Sequence, residues 1–454
     1  MKKIYTVAIL MFCAVFIFAQ NPKNVKNIIL VIGDGFGPQE VGLMAQYARY
    51  APSSPYADRQ SNLEKFFNKS NVGLALTNPK NFLVTDSACS GTQIATGHFS
   101  SPESVGVDYQ GNAQKTILEY AKEAGKSTGL ITTVYLQDAT PAVFAAHQPN
   151  RNKKAEIASD MVNTGVDVML GGGRKYFAPI AGQIEALGYK IINSRVELEN
   201  IELEKGKKLL GVFAENEIPF VIMNDISAPS LTQMTEKALD ILSQNEKGFF
   251  IMVEAGRIDW ALHANDAASS LYEILELDET LGYLLKWAEK RNDTLVILTA
   301  DHETGGFGFN YHKLKGERLT KAKESGEVLY GSGTDYVSPE VFEKIMKQKT
   351  LLYNVEKEFN ALPKRKQKSK TLGKMLSDVV GYQLAGEIYK DCKTFSCALK
   401  NYNNSLGIVW STGAHTATPV EVAAWGPTQA NYSGLYHTTD LNKKMRKSFG
   451  FEVK

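Results

Sequence analysis

Apolar runs that end in glycine, acidic or hydroxyl residues recur along this chain and alternate with helical patterns. They occur at Val25–Ile32, Thr128–Thr133, Val166–Leu170, Phe249–Val253, Leu295–Thr299 and Val420–Trp425. Buried strands that alternate with helices are typical of a mostly parallel sheet that helices cover on both faces. We therefore predict an α/β fold with three layers (α/β/α) around a large, mostly parallel central sheet.

The ends of these predicted strands carry side chains that are suited to binding ligands. Asp34 follows the first run between two glycines, Glu254 follows the fourth, and Asp301 and His302 follow the fifth. Ligands of open α/β sheets bind beyond the carboxyl ends of the strands. The sequence therefore predicts that these four side chains share one edge of the sheet.

The length of 454 residues allows one large α/β domain with insertions, and we expect residues 20–454 to form it. From about residue 311 to 404 the strand signals fade and lysines become frequent, notably in the run 364–370. We interpret this lysine-rich segment as a solvated insertion of helices and loops, with a basic patch for a partner as the alternative. The formal net charge of +2 predicts no strong attraction to nucleic acid or to an anionic membrane.

The first residues have the pattern of a secretory signal. Lys2 and Lys3 precede the apolar run Ile4–Phe18, and Ala19 follows it. A membrane anchor is the alternative, but a spanning helix needs about 20 apolar residues and this run is shorter. We expect residues 1–19 to be cleaved and the mature protein to be extracytoplasmic, either periplasmic or secreted, without a stable membrane anchor.

Three cysteines remain after this cleavage. Export favours oxidation, and Cys392 and Cys397 are near enough in sequence to close a small loop, although sequence leaves their pairing open. Cys89 is expected to be a buried free thiol that fills space.

The pair Asp86-Ser87 opens a run of small residues that ends near Gly97. Such a pair is a natural helix N-cap, and a helix N-terminus presents free N–H groups to an anion. A serine oxygen there is well placed to attack a bound phosphate, although a plain capping pair would look the same in sequence. Ser87 is therefore a candidate nucleophile.

Carboxylates and histidines elsewhere have the spacing of metal ligands. Asp259 and His263 fall four residues apart, which places both on one face if a helix begins there. Asp301 and His302 are adjacent, and His415 lies among small residues. Imidazole and carboxylate groups without a thiolate suit catalytic zinc, whereas Asp138 and Thr140 offer the hard oxygens that magnesium prefers. Each piece alone could be an ordinary turn or a surface helix.

Six short motifs of this chain resemble the alkaline phosphatase family, in the family's order from about Asn27 to Gly426. They are Gly-Asp-Gly, Thr-Asp-Ser-Ala, Gln-Asp-Ala-Thr-Pro, the Glu…Ile-Asp…His block, Asp-His-Glu-Thr-Gly-Gly and Gly-Ala-His-Thr. The resemblance implies an exported enzyme that hydrolyses small phosphate monoesters through a phosphoserine, with two zinc ions and one magnesium ion. It is also compatible with a homodimer, since members are commonly dimers, although the insertion could contribute or block the contacts.

Carried over residue by residue, the resemblance implies these roles: Ser87 as nucleophile, Arg151 as phosphate-binding group, Asp259, His263 and His415 on the first zinc, Asp34, Asp301 and His302 on the second, and Asp34, Glu254, Thr140 and, through water, Asp138 on magnesium. Trp260 departs from the family, because enteric bacterial members carry lysine and animal members histidine at this position. We expect Trp260 to contact the substrate. Because the site lacks the cationic group at this position, we expect it to bind phosphate less tightly. The sequence does not settle which metal occupies the third position.

Two rival functions stay open from sequence. A sulfatase needs a Cys/Ser-x-Pro-x-Arg context that Ser87 lacks, and phosphodiesterases of the superfamily typically use threonine as the nucleophile. An exported protein that binds metal or phosphate without turnover is the rival from another class. The sequence identifies neither the physiological ester nor the oligomeric state.

Overall fold

The computed structural model describes residues 25–453 except residues 205, 315, 325 and 327. The predicted signal segment, residues 1–19, lies outside the described residues. No helix in the described part of the chain combines the length and the apolar character that crossing a membrane requires.

The strands are β1 (Asn27–Gly33), β2 (Asn71–Leu76), β3 (Ser127–Tyr135), β4 (Val168–Gly172), β5 (Tyr189–Ile192), β6 (Lys208–Val212), β7 (Phe249–Ala255), β8 (Thr294–Thr299), β9 (Glu303–Thr304), β10 (Phe307–Phe309), β11 (His312–Lys313), β12 (Thr334–Asp335), β13 (Ile408–Trp410), β14 (His415–Thr416), β15 (Val420–Trp425) and β16 (Gly434–His437). The α-helices are α1 (Pro38–Tyr50), α2 (Asn62–Lys69), α3 (Ser87–Thr96), α4 (Ile117–Glu123), α5 (Ala139–Ala142), α6 (Lys154–Thr164), α7 (Arg174–Phe177), α8 (Ala181–Ala186), α9 (Arg195–Asn200), α10 (Leu231–Leu242), α11 (Arg257–His263), α12 (Ala267–Glu289), α13 (Gly316–Glu324), α14 (Val341–Ile345), α15 (Leu352–Ala361), α16 (Ser369–Val380), α17 (Phe395–Ser405) and α18 (Thr438–Ser448).

Ten strands form the central sheet in the order β16-β2-β15-β8-β1-β7-β3-β4-β6-β5. Its strands run parallel except β15, which is antiparallel to both β2 and β8. Every residue of β1, β7 and β8 is buried, because helices cover both faces of the sheet there. The predicted α/β fold with a mostly parallel sheet is confirmed, and each of the six apolar runs contains or overlaps one of its strands.

The described part of the lysine-rich segment contains helices α13 to α17 and the short strands β11 and β12. Asp266, the N-cap of α12, joins this segment to the sheet domain, because its carboxylate accepts hydrogen bonds from Gln348 Nε2 (2.8 Å) and Leu352 N (2.9 Å). A disulfide joins Cys392 to Cys397 and settles the pairing that the sequence left open. Cys89 is the buried free thiol that was predicted.

Candidate active site

The carboxyl ends of the central strands bring the candidate residues to one edge of the sheet. Glu254 on β7 lies in register with Ile32 of β1 and Thr132 of β3, and Ile32 is paired in turn with Thr299 of β8. Asp34, which directly follows β1, therefore lies at the same edge of the sheet as Asp301 and His302, which follow β8. The parallel register thereby brings Asp34 to the level of segments that follow it by more than 200 residues in the chain.

Ser87 is the first residue of α3, and it is buried. Asp86 caps the helix, since its side chain accepts a hydrogen bond from Cys89 N (3.1 Å), and Gly97 ends it in the left-handed conformation (φ 79°). The Ser87 Oγ atom lies 3.1 Å from Nε2 of His302. The predicted cap therefore points the serine oxygen at a candidate metal ligand.

A first cluster consists of Asp259, His263 and His415. The Nε2 atoms of His263 and His415 lie 3.1 Å apart, and Asp259 Oδ2 lies 3.3 Å from Nε2 of His263. His263 Nδ1 donates to the carbonyl of Gly413 and His415 Nδ1 to that of Thr85, each at 2.8 Å. Because both Nδ1 atoms are used, both rings turn Nε2 toward the same point, as in a metal site.

A second cluster consists of Asp34, Asp259 and His302, whose ligand atoms lie within 4.8 Å of one another. Asp301 was predicted here, and its Oδ2 lies 3.2 Å from His302 Nε2. Thr304 Oγ1 donates to Asp259 Oδ1 (2.6 Å) and therefore accepts from His302 Nδ1 (3.2 Å). This hydroxyl fixes the His302 tautomer and links the two clusters, and the His302 ring also stacks on the His415 ring.

Burial of several acids together shapes the electrostatics of the site. It raises the pKa of Asp301 to about 6 and that of Glu254 to about 8, and repulsion among the neighbouring carboxylates adds to both shifts. Burial also lowers the pKa values of His302 and His415 to about 4, so both rings are neutral at neutral pH. Neutral imidazoles and close-packed carboxylates are the forms that bind a divalent cation, which would relieve the repulsion.

Within the candidate site, three buried carboxylate oxygens have no hydrogen-bond partner among the described residues: Asp34 Oδ1, Glu254 Oε1 and Asp301 Oδ2. Unpartnered buried carboxylate oxygens are costly, and cations are the groups that satisfy them. The donor set of imidazole nitrogens and carboxylate oxygens fits zinc, with further oxygens for magnesium.

The predicted magnesium ligands are gathered less tightly. Thr140 Oγ1 donates to Asp34 Oδ2 (3.3 Å), and Glu254 Oε2 accepts from Thr132 Oγ1 (2.5 Å). Within the described residues, Glu254 and Asp138 do not fall into a third cluster of the kind formed by the first two.

Arg151 lies between the carboxylates of two helix caps. Its Nη1 donates to Asp86 Oδ2 (3.1 Å) and its Nη2 to Asp138 Oδ1 (3.0 Å). These charges raise the pKa of Arg151 above its ordinary value against the opposing effect of burial. These contacts hold the guanidinium in place, and Arg151 and Ser87 line the same cleft.

Sequence reasoning missed Lys154 and Thr304. The sequence suggests an exposed basic turn around Lys154, yet its side chain is 12% exposed and its Nζ lies 3.5 Å from Asp138 Oδ1. The position of Lys154 at the start of α6, three residues after Arg151, was the available signal. Thr304 stands inside the Asp-His-Glu-Thr-Gly-Gly motif, where only its hydroxyl contacts show its role.

Ser87, Arg151, His263 and His415 line a cleft of about 980 Å³, and Trp260 lies on its wall. The Trp260 ring packs edge-on against Tyr135, with ring centroids 6.4 Å apart. A buried serine at a helix N-terminus beside clustered imidazoles and carboxylates, at the carboxyl edge of a parallel sheet, is typical of the class of metal-dependent α/β hydrolases.

Comparisons with known proteins narrow this class. The family described as alkaline phosphatase matches residues 25–450. Alkaline phosphatase 4 of Bacillus subtilis is 31% identical over 438 residues, which cover 93% of this chain and 88% of the relative. The cold-active alkaline phosphatase of a psychrophilic Shewanella superposes with a TM-score of 0.76 at 29% identity, covering 93% of this chain and 99% of that one. An alkaline phosphatase variant from the Antarctic bacterium TAB5, with Mg bound in its M3 site, superposes with a TM-score of 0.68 at 26% identity, and the match covers 95% of this chain and 99% of that one.

The chain belongs to the alkaline phosphatase family. It is an enzyme of the phosphoric monoester hydrolase class, as the relatives' names state and as the motifs in the sequence predicted. The family is metal-dependent, in agreement with the two clusters of ligand atoms.

Proposed function

We propose that this enzyme hydrolyses phosphate monoesters through a phosphoserine at Ser87, with two zinc ions and one magnesium ion. The observation that carries the proposal is the 3.1 Å distance between Ser87 Oγ and Nε2 of His302, a member of the second cluster whose ring stacks on His415 of the first. His302 Nδ1 already donates to Thr304, so the lone pair of His302 Nε2 is free to bind a cation beside Ser87.

In this proposal Asp259, His263 and His415 would hold one zinc, Asp34, Asp301 and His302 would hold the other, and Asp34, Glu254 and Thr140, with Asp138 nearby, would hold magnesium. The metal ions would lower the pKa of the serine hydroxyl and of the attacking water and would neutralise the leaving oxygen. The Mg in the M3 site of the TAB5 enzyme supports magnesium as the third ion.

The chain's own groups orient the phosphoryl group. The free N–H groups at the start of α3 face the site of Ser87, and an anion is favoured at such a helix end. Arg151 presents a planar guanidinium that can bind two phosphoryl oxygens at once, and Asp86 and Asp138 keep it in place. Ser87 Oγ attacks phosphorus, the alcohol leaves into the cleft beside Trp260, and water then hydrolyses the phosphoserine.

The test compares Ser87→Ala with Ser90→Ala, a buried serine on the same helix whose hydroxyl bonds to the Asp86 carbonyl. We expect Ser87→Ala to lower kcat by at least about 1,000-fold while zinc and magnesium content per chain stays unchanged. Acid quenching during turnover of a radiolabelled ester should leave label on the wild type and on Ser90→Ala, but not on Ser87→Ala. Substantial turnover by Ser87→Ala, or label on it, would refute the role of Ser87.

We also propose that the chain is a homodimer. The outer face of β2 and the neighbouring β16 expose Val72, Leu74, Leu76 and Leu435, the last with 66% of its surface accessible. Exposed contiguous apolar side chains mark interaction surfaces. The full chain has a calculated mass of 50.1 kDa, and the mature chain is lighter by its signal segment. Light scattering after gel filtration should give twice the mass of the mature chain for the wild type. The Leu74→Glu variant should give the mass of a single mature chain. A wild type that elutes as a monomer would refute the proposal.

Export is proposed on two features. The charged start and apolar run of residues 1–19 have the signal pattern, and the Cys392–Cys397 disulfide suits an oxidising compartment. Mass spectrometry of the mature N-terminus, expected near residue 20, tests the cleavage. A full-length N-terminus in the purified protein would contradict it.

A further inference from the structure

The active-site cleft continues well beyond the residues that handle phosphate. Its volume of about 980 Å³ lies at the upper end for pockets that enclose whole organic ligands, far more than a phosphoryl group occupies. The part beyond the candidate catalytic groups, here called the distal cleft, has in its lining Phe220, Trp260, Leu351, Tyr353, Phe395 and Leu399, together with Glu217, Glu356 and Asp266. A leaving group attached to phosphate at Ser87 has to enter this space or the solvent beside it.

One wall of the distal cleft belongs to the sheet domain and is stiffened by Arg257. The Arg257 guanidinium lies 3.6 Å from the centroid of Phe220 and 4.9 Å from that of Trp260. Arg257 is buried, with 5% of its surface exposed, and its α11 position is two residues from Asp259. Cation–π contacts to two rings at once hold both aromatic side chains in fixed positions, so this wall is preorganised.

The opposite wall comes from the lysine-rich segment. Tyr353 lies in the first turn of α15, whose Leu352 N donates to Asp266 of the sheet domain (2.9 Å). Phe395 begins α17 and stands inside the loop that the Cys392–Cys397 disulfide closes. These tethers fix the wall on the core, so the segment adds to the substrate cleft instead of projecting freely into solvent.

The charged groups of the distal cleft are acidic. Glu217 and Glu356 line it, and in the described residues the lining beyond Arg151 includes neither lysine nor arginine. Arg257 lies behind the aromatic rings, with its Nη1 3.7 Å from Glu217 Oε1. A leaving group with a further phosphate or carboxylate would therefore meet negative charge without a free cation to offset it.

We propose that the distal cleft is a leaving-group subsite for phosphate monoesters of aromatic alcohols without further negative charge, and that Tyr353 and Phe395 of the lysine-rich segment complete it. The proposal rests on the phosphomonoesterase function and deepens it by naming a substrate class. Flat rings suit a cleft with aromatic walls, because stacked and edge-on ring contacts are favourable beyond the area that they bury.

The experiment uses esters with similar leaving alcohols that differ in the ring. We expect the metal-loaded enzyme to show a higher kcat/KM for benzyl phosphate than for ethyl phosphate, and 4-carboxybenzyl phosphate to fall below benzyl phosphate. Tyr353→Ala should reduce the ratio of benzyl to ethyl kcat/KM by roughly 2- to 12-fold. Inhibition constants for benzylphosphonate and ethylphosphonate should change in the same proportion, which reports binding without chemistry.

Tyr311→Ala is the matched control, because Tyr311 is a tyrosine of the same segment with similar exposure (62% against 56% for Tyr353) and is not among the residues that line the cleft. Its benzyl-to-ethyl ratio should equal that of the wild type. Phe395 is buried, so Phe395→Leu is used as the milder second variant, with its melting temperature recorded. If both esters are hydrolysed but the ratio of benzyl to ethyl kcat/KM is the same in the wild type and in Tyr353→Ala, the proposed subsite is refuted. Absence of hydrolysis of either ester by the wild type would instead refute the phosphomonoesterase function.

Discussion

Thr304→Val removes one hydroxyl that connects the two candidate metal clusters. In the native protein this hydroxyl donates to Asp259 Oδ1 (2.6 Å) and accepts from His302 Nδ1 (3.2 Å). Valine has nearly the same shape, so the fully buried position keeps its packing. The substitution therefore isolates the loss of two hydrogen bonds at groups that would hold zinc.

The expected size of the effect follows from what the substitution leaves behind. His302 Nδ1–H loses its acceptor and Asp259 Oδ1 loses a donor, and each unpaired buried group costs about 1–3 kcal/mol. His302 also becomes free to exchange tautomers, which would turn a lone pair away from the site. Removing the hydrogen-bond partner of a metal-binding histidine typically weakens metal affinity by about 10- to 100-fold.

The assay is zinc titration of the metal-stripped protein against a chromophoric chelator, followed by phosphate release at saturating zinc. Thr299→Val is the matched control, because the buried Thr299 hydroxyl donates to the Glu421 carbonyl (2.8 Å) and contacts no candidate ligand. We expect weaker zinc binding in Thr304→Val than in Thr299→Val, with activity partly restored by excess zinc. Zinc affinity equal in the two variants would refute the role assigned to the hydroxyl.

Three further predictions concern charge and covalent structure. Between pH 6.5 and 8 the metal-free protein should lose stability as the pH rises. The pKa of Glu254 is raised from 4.5 to about 8 and that of His263 from 6.5 to about 9, so in this range the folded state binds more protons than the unfolded state. The lowered pKa values of His302 and His415 affect stability only below this range. Urea midpoints at both pH values check this, and a midpoint that rises with pH would contradict it. Arg151→Lys should raise the inhibition constant of inorganic phosphate about tenfold, because lysine keeps the charge but loses the two-pronged contact, and an unchanged constant would exclude the clamp. Replacing Cys392 and Cys397 by serine should cost about 2 kcal/mol of unfolding free energy for so short a loop, and unchanged chemical denaturation would contradict this.

The local patterns were strong enough to predict the sheet and the residue types of the site. Continuous apolar runs have to be buried on both faces, and acids placed at their ends have to meet at the carboxyl edge of a parallel sheet. This reasoning identified Asp34, Glu254, Asp301 and His302 without any contact information. The family resemblance added Arg151 and assigned the ligand sets, which the spacing of residues alone did not provide.

Contacts between distant segments could not be predicted in this way. The hydroxyl of Thr304, the reach of Lys154 to Asp138, and the tether between Asp266 and Leu352 depend on where backbones cross, which periodicity does not encode. The sequence likewise described the segment 311–404 only as solvated helices and loops. The structure shows that two of its helices form one wall of the active-site cleft.

The sequence by itself determined which elements form and which chemistry is available, because burial of apolar runs and helix capping are local consequences of residue order. It placed Ser87 at a helix start and the carboxylates at strand ends. Only the tertiary structure decided how these groups meet. The parallel register of β1, β7 and β8 and the carbonyls of Thr85 and Gly413 orient the ligand atoms toward common points, since orientation is a property of contacts between segments far apart in the chain.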